Sequence, residues 1–105
     1  MLRTFAEVRN AISSGDTVMS ILENYLTTIK DNQHLNAFTE VFDESAKAQA
    51  RIVDQKISEG KAGKLAGMVI GIKDNLCYKG HKVSASSKIL EGFESLYTAT
   101  AVERF

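Results

Sequence analysis

Leu65-Ala66-Gly67-Met68-Val69-Ile70-Gly71-Ile72-Lys73-Asp74-Asn75 sets the expectation for the fold. Met68 to Ile72 is an uncharged, continuously apolar run. Such a run fits a short strand covered on both faces. It delivers Lys73 into a polar turn. A lysine at the end of a buried strand is unusual, because a desolvated ammonium is costly. The cost falls if the head reaches water, finds a partner or loses its proton. The last choice leaves a neutral amine, which can act as a base near neutral pH.

On the N-terminal side the pattern is helical. Thr4-Phe5-Ala6-Glu7 fits a capping box, with Phe5, Val8 and Ile12 following at helical spacing and Ser14-Gly15 closing the helix. Asp16 or Thr17 can cap a second helix, in which Val18, Leu22, Tyr25 and Ile29 line one side and Met19, Ile21 and Leu26 widen the stripe. A stripe this wide predicts contacts on more than one side. Lys30 to His34 is polar and reads as a loop. Leu35 to Phe42 has strand-like content and is expected to be extended. Asp43, Glu44 and Ser45 open a third helix with acidic groups where the helix dipole favours them. Its stripe of Ala46, Ala50, Val53 and Ile57 is narrow, and Gly60 and Gly63 end it. The expected helices are 4–13, 17–30 and 43–59.

On the C-terminal side, Lys73 to Ser87 is polar and rich in small residues, with Val83 its one large aliphatic after Leu76. This predicts irregular structure lining a surface or a cleft. Thr100-Ala101-Val102-Glu103 repeats a capping-box pattern. A helix begun there has about one turn before Phe105, too little to sustain itself. The expectation is therefore a piece of a longer protein.

Composition narrows the function classes. The 105 residues, 44% hydrophobic and 25% charged, have the length and balance of one globular domain. Thirteen basic and thirteen acidic residues cancel, so no global field attracts nucleic acid. The one cysteine, Cys77, excludes an internal disulfide framework and fits a reducing compartment. No apolar run approaches the ~20 residues of a membrane span, and no signal peptide is visible, so the expected location is the cytoplasm. The chain contains no proline, from which no function follows.

Lys73 is the main chemical candidate. The residues alone leave open a base, a solvated lysine closing a strand, or an ion pair with Asp74. Ser84, Ser86 and Ser87 offer hydroxyls, although clustered serines more often satisfy loop backbone. His34 and His81 lack ligand spacing for zinc. Cys77 has no partner nearby in sequence and reads as a small buried hydrophobe. The glycines do not form a phosphate-binding loop.

The stretch from Leu65 to Asn75 resembles the L-A-G-x-P-x-G-x-K-D-N segment of the amidase signature family. Asn36-Ala37-Phe38 ahead of an acidic, alanine-rich helix is similar to the family's L-N-A-F segment. Lys79-Gly80, Ser86-Ser87-Lys88-Ile89-Leu90 and Tyr97-x-Ala99-Thr100-x-Val102-Glu103-Arg104 extend the similarity. It covers nearly the whole chain, strong from Leu65 onward and limited to helical pattern across the first two helices.

The resemblance implies an α/β fold, in which N-terminal helices lead into the first strands of a mixed sheet. Residues 1–105 would be the incomplete N-terminal part of an amidase domain, mainly helical over 1–63 and with strand and lysine-bearing loop over 64–105. It implies a Ser–cis-Ser–Lys triad with Lys73 as the general base, acting through the bridging serine. A serine hydroxyl is a weak nucleophile until a neighbouring base takes its proton. Both triad serines belong to a Gly/Ser-rich segment beyond Phe105, so none of Ser84, Ser86 or Ser87 fills those roles, and the chain alone is expected to be inactive. Within the family, the later pieces are most similar to the glutaminase subunits of tRNA-dependent amidotransferases. That similarity implies glutamine as substrate, ammonia passed to glutamate on tRNA(Gln), and other subunits as partners. It implies tRNA bound through a partner subunit that also uses ATP and Mg, with no cofactor on this chain, no DNA and no membrane. The alternatives are a general amidase for small amides and a non-catalytic helical interaction module. Two departures stand out: Val69 where the family commonly has proline, and Thr98 where aspartate is frequent.

Overall fold

The computed structural model describes residues 1–105. Its contacts divide the chain into two units, Met1–Val69 and Ile70–Phe105.

The first unit is built on three helices, α1 (Phe5–Ser13), α2 (Val18–Asp31) and α3 (Asp43–Ser58), with a 3-10 turn at Gln33–Leu35. All three helices read from periodicity are present. The capping box forms as expected. Thr4 Oγ1 accepts the Glu7 N–H, while the Glu7 carboxylate accepts the N–H groups of Arg3 (2.6 Å) and Thr4 (2.9 Å). Thr17 caps α2 through the Ser20 N–H. A second acceptor reaches the same end: Asp54 of α3 takes the Val18 and Met19 N–H groups at 2.7 and 3.1 Å. One carboxylate thus ties α3 to the start of α2 and satisfies two donors that a helix leaves orphaned. α1 and α3 both end in a Schellman motif, with Gly15 and Gly60 at positive φ (109° and 70°). The bonds are Asp16 N–H to Ala11 C=O and Gly15 N–H to Ile12 C=O in α1, and Lys61 N–H to Lys56 C=O and Gly60 N–H to Ile57 C=O in α3.

Val18, Leu22 and Ala50 form the buried core between α2 and α3, with Ile12, Met19, Leu26, Ala46, Val53 and Ile57 packed around them. Small residues on α3 bring its backbone close to α2. The wide stripe of α2 has the further contacts it predicts: Ile21 is buried, and the Tyr25 hydroxyl donates to the Leu2 carbonyl at 2.8 Å.

The sheet is the correction. No strand forms, and the one bridge of β type is Lys82 with Glu94. Leu65-Ala66-Gly67-Met68 is a turn closed by Met68 N–H to Leu65 C=O at 3.0 Å, with Gly67 at φ 86°. Met68 to Ile72 then runs without ladder partners, and Met68 and Val69 are exposed. Leu35 to Phe42 is likewise irregular after its 3-10 start. The physical reason is that a strand exists only through a partner's N–H and C=O groups. No segment of this chain offers them to 68–72.

The second unit has only a 3-10 turn at Lys88–Leu90 and a short α4 (Thr100–Glu103) as helix. The capping box expected at Thr100 does not form. Ala99 is the N-cap, without a side-chain bond, and Thr100 lies inside the helix. No helix of the structure is long and apolar enough to cross a membrane.

Candidate functional site

Two segments of the second unit run antiparallel without becoming strands. The Ala99 N–H donates to the Cys77 carbonyl (2.8 Å), Gly80 N–H to Ser95 C=O (3.0 Å), Ser95 N–H to His81 C=O (2.9 Å) and Val83 N–H to Phe93 C=O (3.1 Å). The Lys79 N–H is taken by the Thr98 hydroxyl at 3.1 Å. Val83 and Ser95 are the buried residues of this frame. The stretch read as loop is therefore a cross-linked scaffold. Its pairing joins residues between ten and twenty-two positions apart, and sequence periodicity does not carry such a signal.

The scaffold presents Lys73 and Asp74. Lys73 lies in irregular chain just before a turn, and its carbonyl accepts the Leu76 N–H at 2.9 Å. Its side chain is exposed and belongs to no ion pair, so Asp74 is not its partner. The burial expected from a covered strand is not supplied by these residues, because the strand itself is absent.

Asp74 is engaged elsewhere. Its carboxylate accepts the Ser84 N–H at 3.0 Å and the Ser84 hydroxyl, and its own carbonyl accepts the Ala85 N–H at 2.8 Å. These bonds hold the carboxyl below its ordinary range, the Ser84 hydroxyl contributing most, then the Ser84 N–H, with the Ser86 N–H adding to them. The bonds converge on a tight turn, Ser84 to Ser87, closed by Ser87 N–H to Ser84 C=O at 2.9 Å. Both central residues are left-handed, Ala85 at φ 49° and Ser86 at φ 59°. That conformation costs a non-glycine residue about 1–2 kcal/mol, so the turn needs an outside hold. Asp74 provides it.

A family model described as Amidase matches residues 20–105. The chain belongs to the amidase family. Among curated relatives, the A-subunit of glutamyl-tRNA(Gln) amidotransferase from Chlorobaculum tepidum is 42% identical over 102 residues, which are 95% of this chain and 21% of the relative. Its counterpart from Chlorobaculum parvum is 42% identical over 104 residues, 97% of this chain and 22% of the relative. That of Salinibacter ruber is 39% identical over 104 residues, 96% and 20% respectively. The chain spans about a fifth of the length of the curated relatives it matches.

The amidase-family motif thus has two structural parts. Leu65 to Val69 closes the first unit with a turn, and Ile70 to Asn75 opens the second with Lys73 and the clamped Asp74. The departure at Thr98 is accommodated by its hydroxyl, which accepts the Lys79 N–H as a carboxylate oxygen can. Val69 offers a backbone N–H that no ladder receives.

The serines divide. Ser84 and Ser86 are gathered by Asp74, whereas the Ser87 N–H closes the turn. His81 stacks on Tyr78 with ring centroids 4.7 Å apart, and His34 belongs to the other unit. No group of three or more His, Cys, Asp or Glu side chains gathers as metal ligands. Cys77 is half-buried but not isolated. The Tyr97 hydroxyl, and secondarily that of Ser95, holds its thiol below the ordinary range, and the thiol in turn raises Tyr97. The Tyr97 bond is the firmer cause, since the single Ser95 proton is already given to the Tyr97 carbonyl at 2.6 Å. Ser95 carries no mark in the sequence, and the sequence offers Asp74 only as a partner for Lys73 and Tyr97 only as part of the family resemblance. For Asp74 no local signal existed, because the turn that it holds lies ten residues on in the chain.

Proposed function

We propose that the chain is the N-terminal portion of the glutaminase subunit of a glutamyl-tRNA(Gln) amidotransferase. The observation that supports this assignment is the resemblance of Leu65 to Asn75 to the family motif, in which Lys73 takes the lysine position, within a chain about 40% identical over nearly its whole length to such amidotransferase sequences. In the whole enzyme, Lys73 is the general base. It draws a proton through a bridging cis-serine from the nucleophilic serine, which attacks the glutamine side-chain amide and releases ammonia. Both serines come from sequence outside these 105 residues. So does the cover that turns an exposed lysine into a desolvated one. The ammonia amidates glutamate carried on tRNA(Gln). A partner subunit binds the tRNA and uses ATP and Mg, no cofactor is held by this chain, and the assembly works in the cytoplasm. A general amidase for small amides would share the family match and the base.

The test is turnover of glutamine by the whole enzyme and its Lys73 variants, with a small amide assayed in parallel. Lys73→Ala lowers glutamine hydrolysis by about three or more orders of magnitude, since the activated nucleophile loses its base. Lys73→Arg does not restore it, because arginine keeps its proton. The 105 residues alone hydrolyse neither substrate. Near-wild-type turnover by Lys73→Ala refutes the base assignment, and preference for the small amide over glutamine refutes the substrate.

A further inference from the structure

We propose that Asp74 is a positioning residue for Lys73, fixing the backbone from which the lysine side chain starts. This rests on the function proposed above. A base must lie within hydrogen-bond reach of the proton it takes. Lysine has a long, freely rotating stem, so its head is only as well placed as its Cα–Cβ direction and its surroundings make it. The structure fixes that direction from the C-terminal side. The Lys73 carbonyl is held by Leu76 N–H at 2.9 Å, and the next peptide is pinned through the Asp74 carbonyl to Ala85 N–H at 2.8 Å. The Asp74 carboxylate grips the same turn through the Ser84 N–H and hydroxyl. The gripped turn is strained at Ala85 and Ser86, both left-handed. Strain of this kind persists only where surrounding bonds over-determine it, and it concentrates at functional sites. Loss of the grip lets the turn relax, and Lys73 moves with it.

The experiment uses the whole enzyme with its partner subunits and reads glutamine hydrolysis. Asp74→Asn keeps the size of the side chain but removes its charge and one acceptor oxygen. It lowers kcat by about 10–100-fold, the penalty of displacing a reacting group by roughly an ångström, with KM changed by less than about threefold. Adding Ala85→Gly to Asp74→Asn regains about threefold or more of the lost kcat, because glycine takes the left-handed conformation without outside help. Ser84→Ala removes one donor to the carboxylate and gives a smaller kcat loss, which keeps the test decisive should Asp74→Asn fail to fold. An Asp74→Asn kcat within about twofold of wild type overturns the proposal. So does a loss confined to KM, a loss that Ala85→Gly leaves unrepaired, or an unchanged kcat in Ser84→Ala. Lys73→Ala run alongside separates the two claims. Near-wild-type turnover there removes the base itself, whereas a large loss there beside a normal Asp74→Asn removes only the positioning role.

Discussion

Gly67 shows how one position in the motif serves the fold. It is buried at φ 86°, the conformation that a turn with glycine at its third residue requires. A Cβ added there would overlap the Ile12 Cδ1 atom of α1, with Val8 and Val18 methyls also in contact at 3.5 Å. Gly67→Ala therefore meets two penalties, a left-handed backbone and an overfilled contact. The Ile12 Cδ1 atom ends a flexible side chain and can swing aside, so the backbone penalty dominates and the loss is about 1–2 kcal/mol. Amide exchange in the intact protein checks it: α1 and the start of α2 lose protection in the variant, and unchanged exchange there contradicts the packing described. The glycine was legible as punctuation in the sequence. Its close approach to α1 was not, because the contact spans more than fifty positions.

At the scale of elements, the helices were legible and the strand was not, for one physical reason. A helix is specified by residues three or four apart, and its caps lie in the same window. Thr4 with Glu7 and Thr17 with Ser20 are such local signals, and both form. A strand is specified by whichever segment pairs with it. Met68 to Ile72 has the composition of a covered strand but no pairing segment here. The Thr100 pattern failed differently, because Ala99 took the cap position and left no side chain to bond. At the candidate site the motif singles out Lys73 in the sequence, whereas Asp74's hold on Ser84 depends on a return of the chain ten residues on. The α1 cap also predicts a pH response. The Arg3 N–H, then the Thr4 N–H, hold the Glu7 carboxyl below its ordinary value of 4.5. A carboxyl lowered on folding contributes stability above its unfolded value and loses it as pH falls through the folded one. The N-terminal turn of α1 thus frays as pH drops below 4.5, seen as faster exchange of the Arg3, Thr4 and Glu7 amides after correction for intrinsic rates. Glu7→Gln removes that dependence, and an identical acid response in the variant contradicts the linkage.

On the scale of the whole molecule, the balance of covered and uncovered surface decides how the chain behaves by itself. The core is small: no large side chain is fully buried, and the buried apolar residues are Val8, Val18, Ile21, Leu22, Ala50 and Val83. Against this, Ile89 is 94% exposed, Leu96 79% and Tyr97 64%, with Leu65, Met68, Val69, Leu76, Phe93 and Phe105 also uncovered. Scattered apolar residues on a surface are ordinary, but this many within forty-one positions, together with backbone at 69–72 that has no ladder partner, is not. The curated relatives are about five times as long, so each carries further sequence that can cover exposed apolar residues of this kind. The isolated 105-residue chain therefore binds a hydrophobic dye and self-associates as its concentration rises, both through apolar surface left in water. Residues 5–13, 18–31 and 43–58 exchange slowly by comparison with 68–72, because only the helices close their own backbone hydrogen bonds. Dye fluorescence, sedimentation and amide exchange on the purified chain test this together. A dilute monomer that ignores the dye, protects Val69 to Ile72 as strongly as the helices and melts in one sharp transition would show a self-sufficient fold. In that event residues 68–72 have found a strand partner within these 105 residues, and the reading that they lack cover falls.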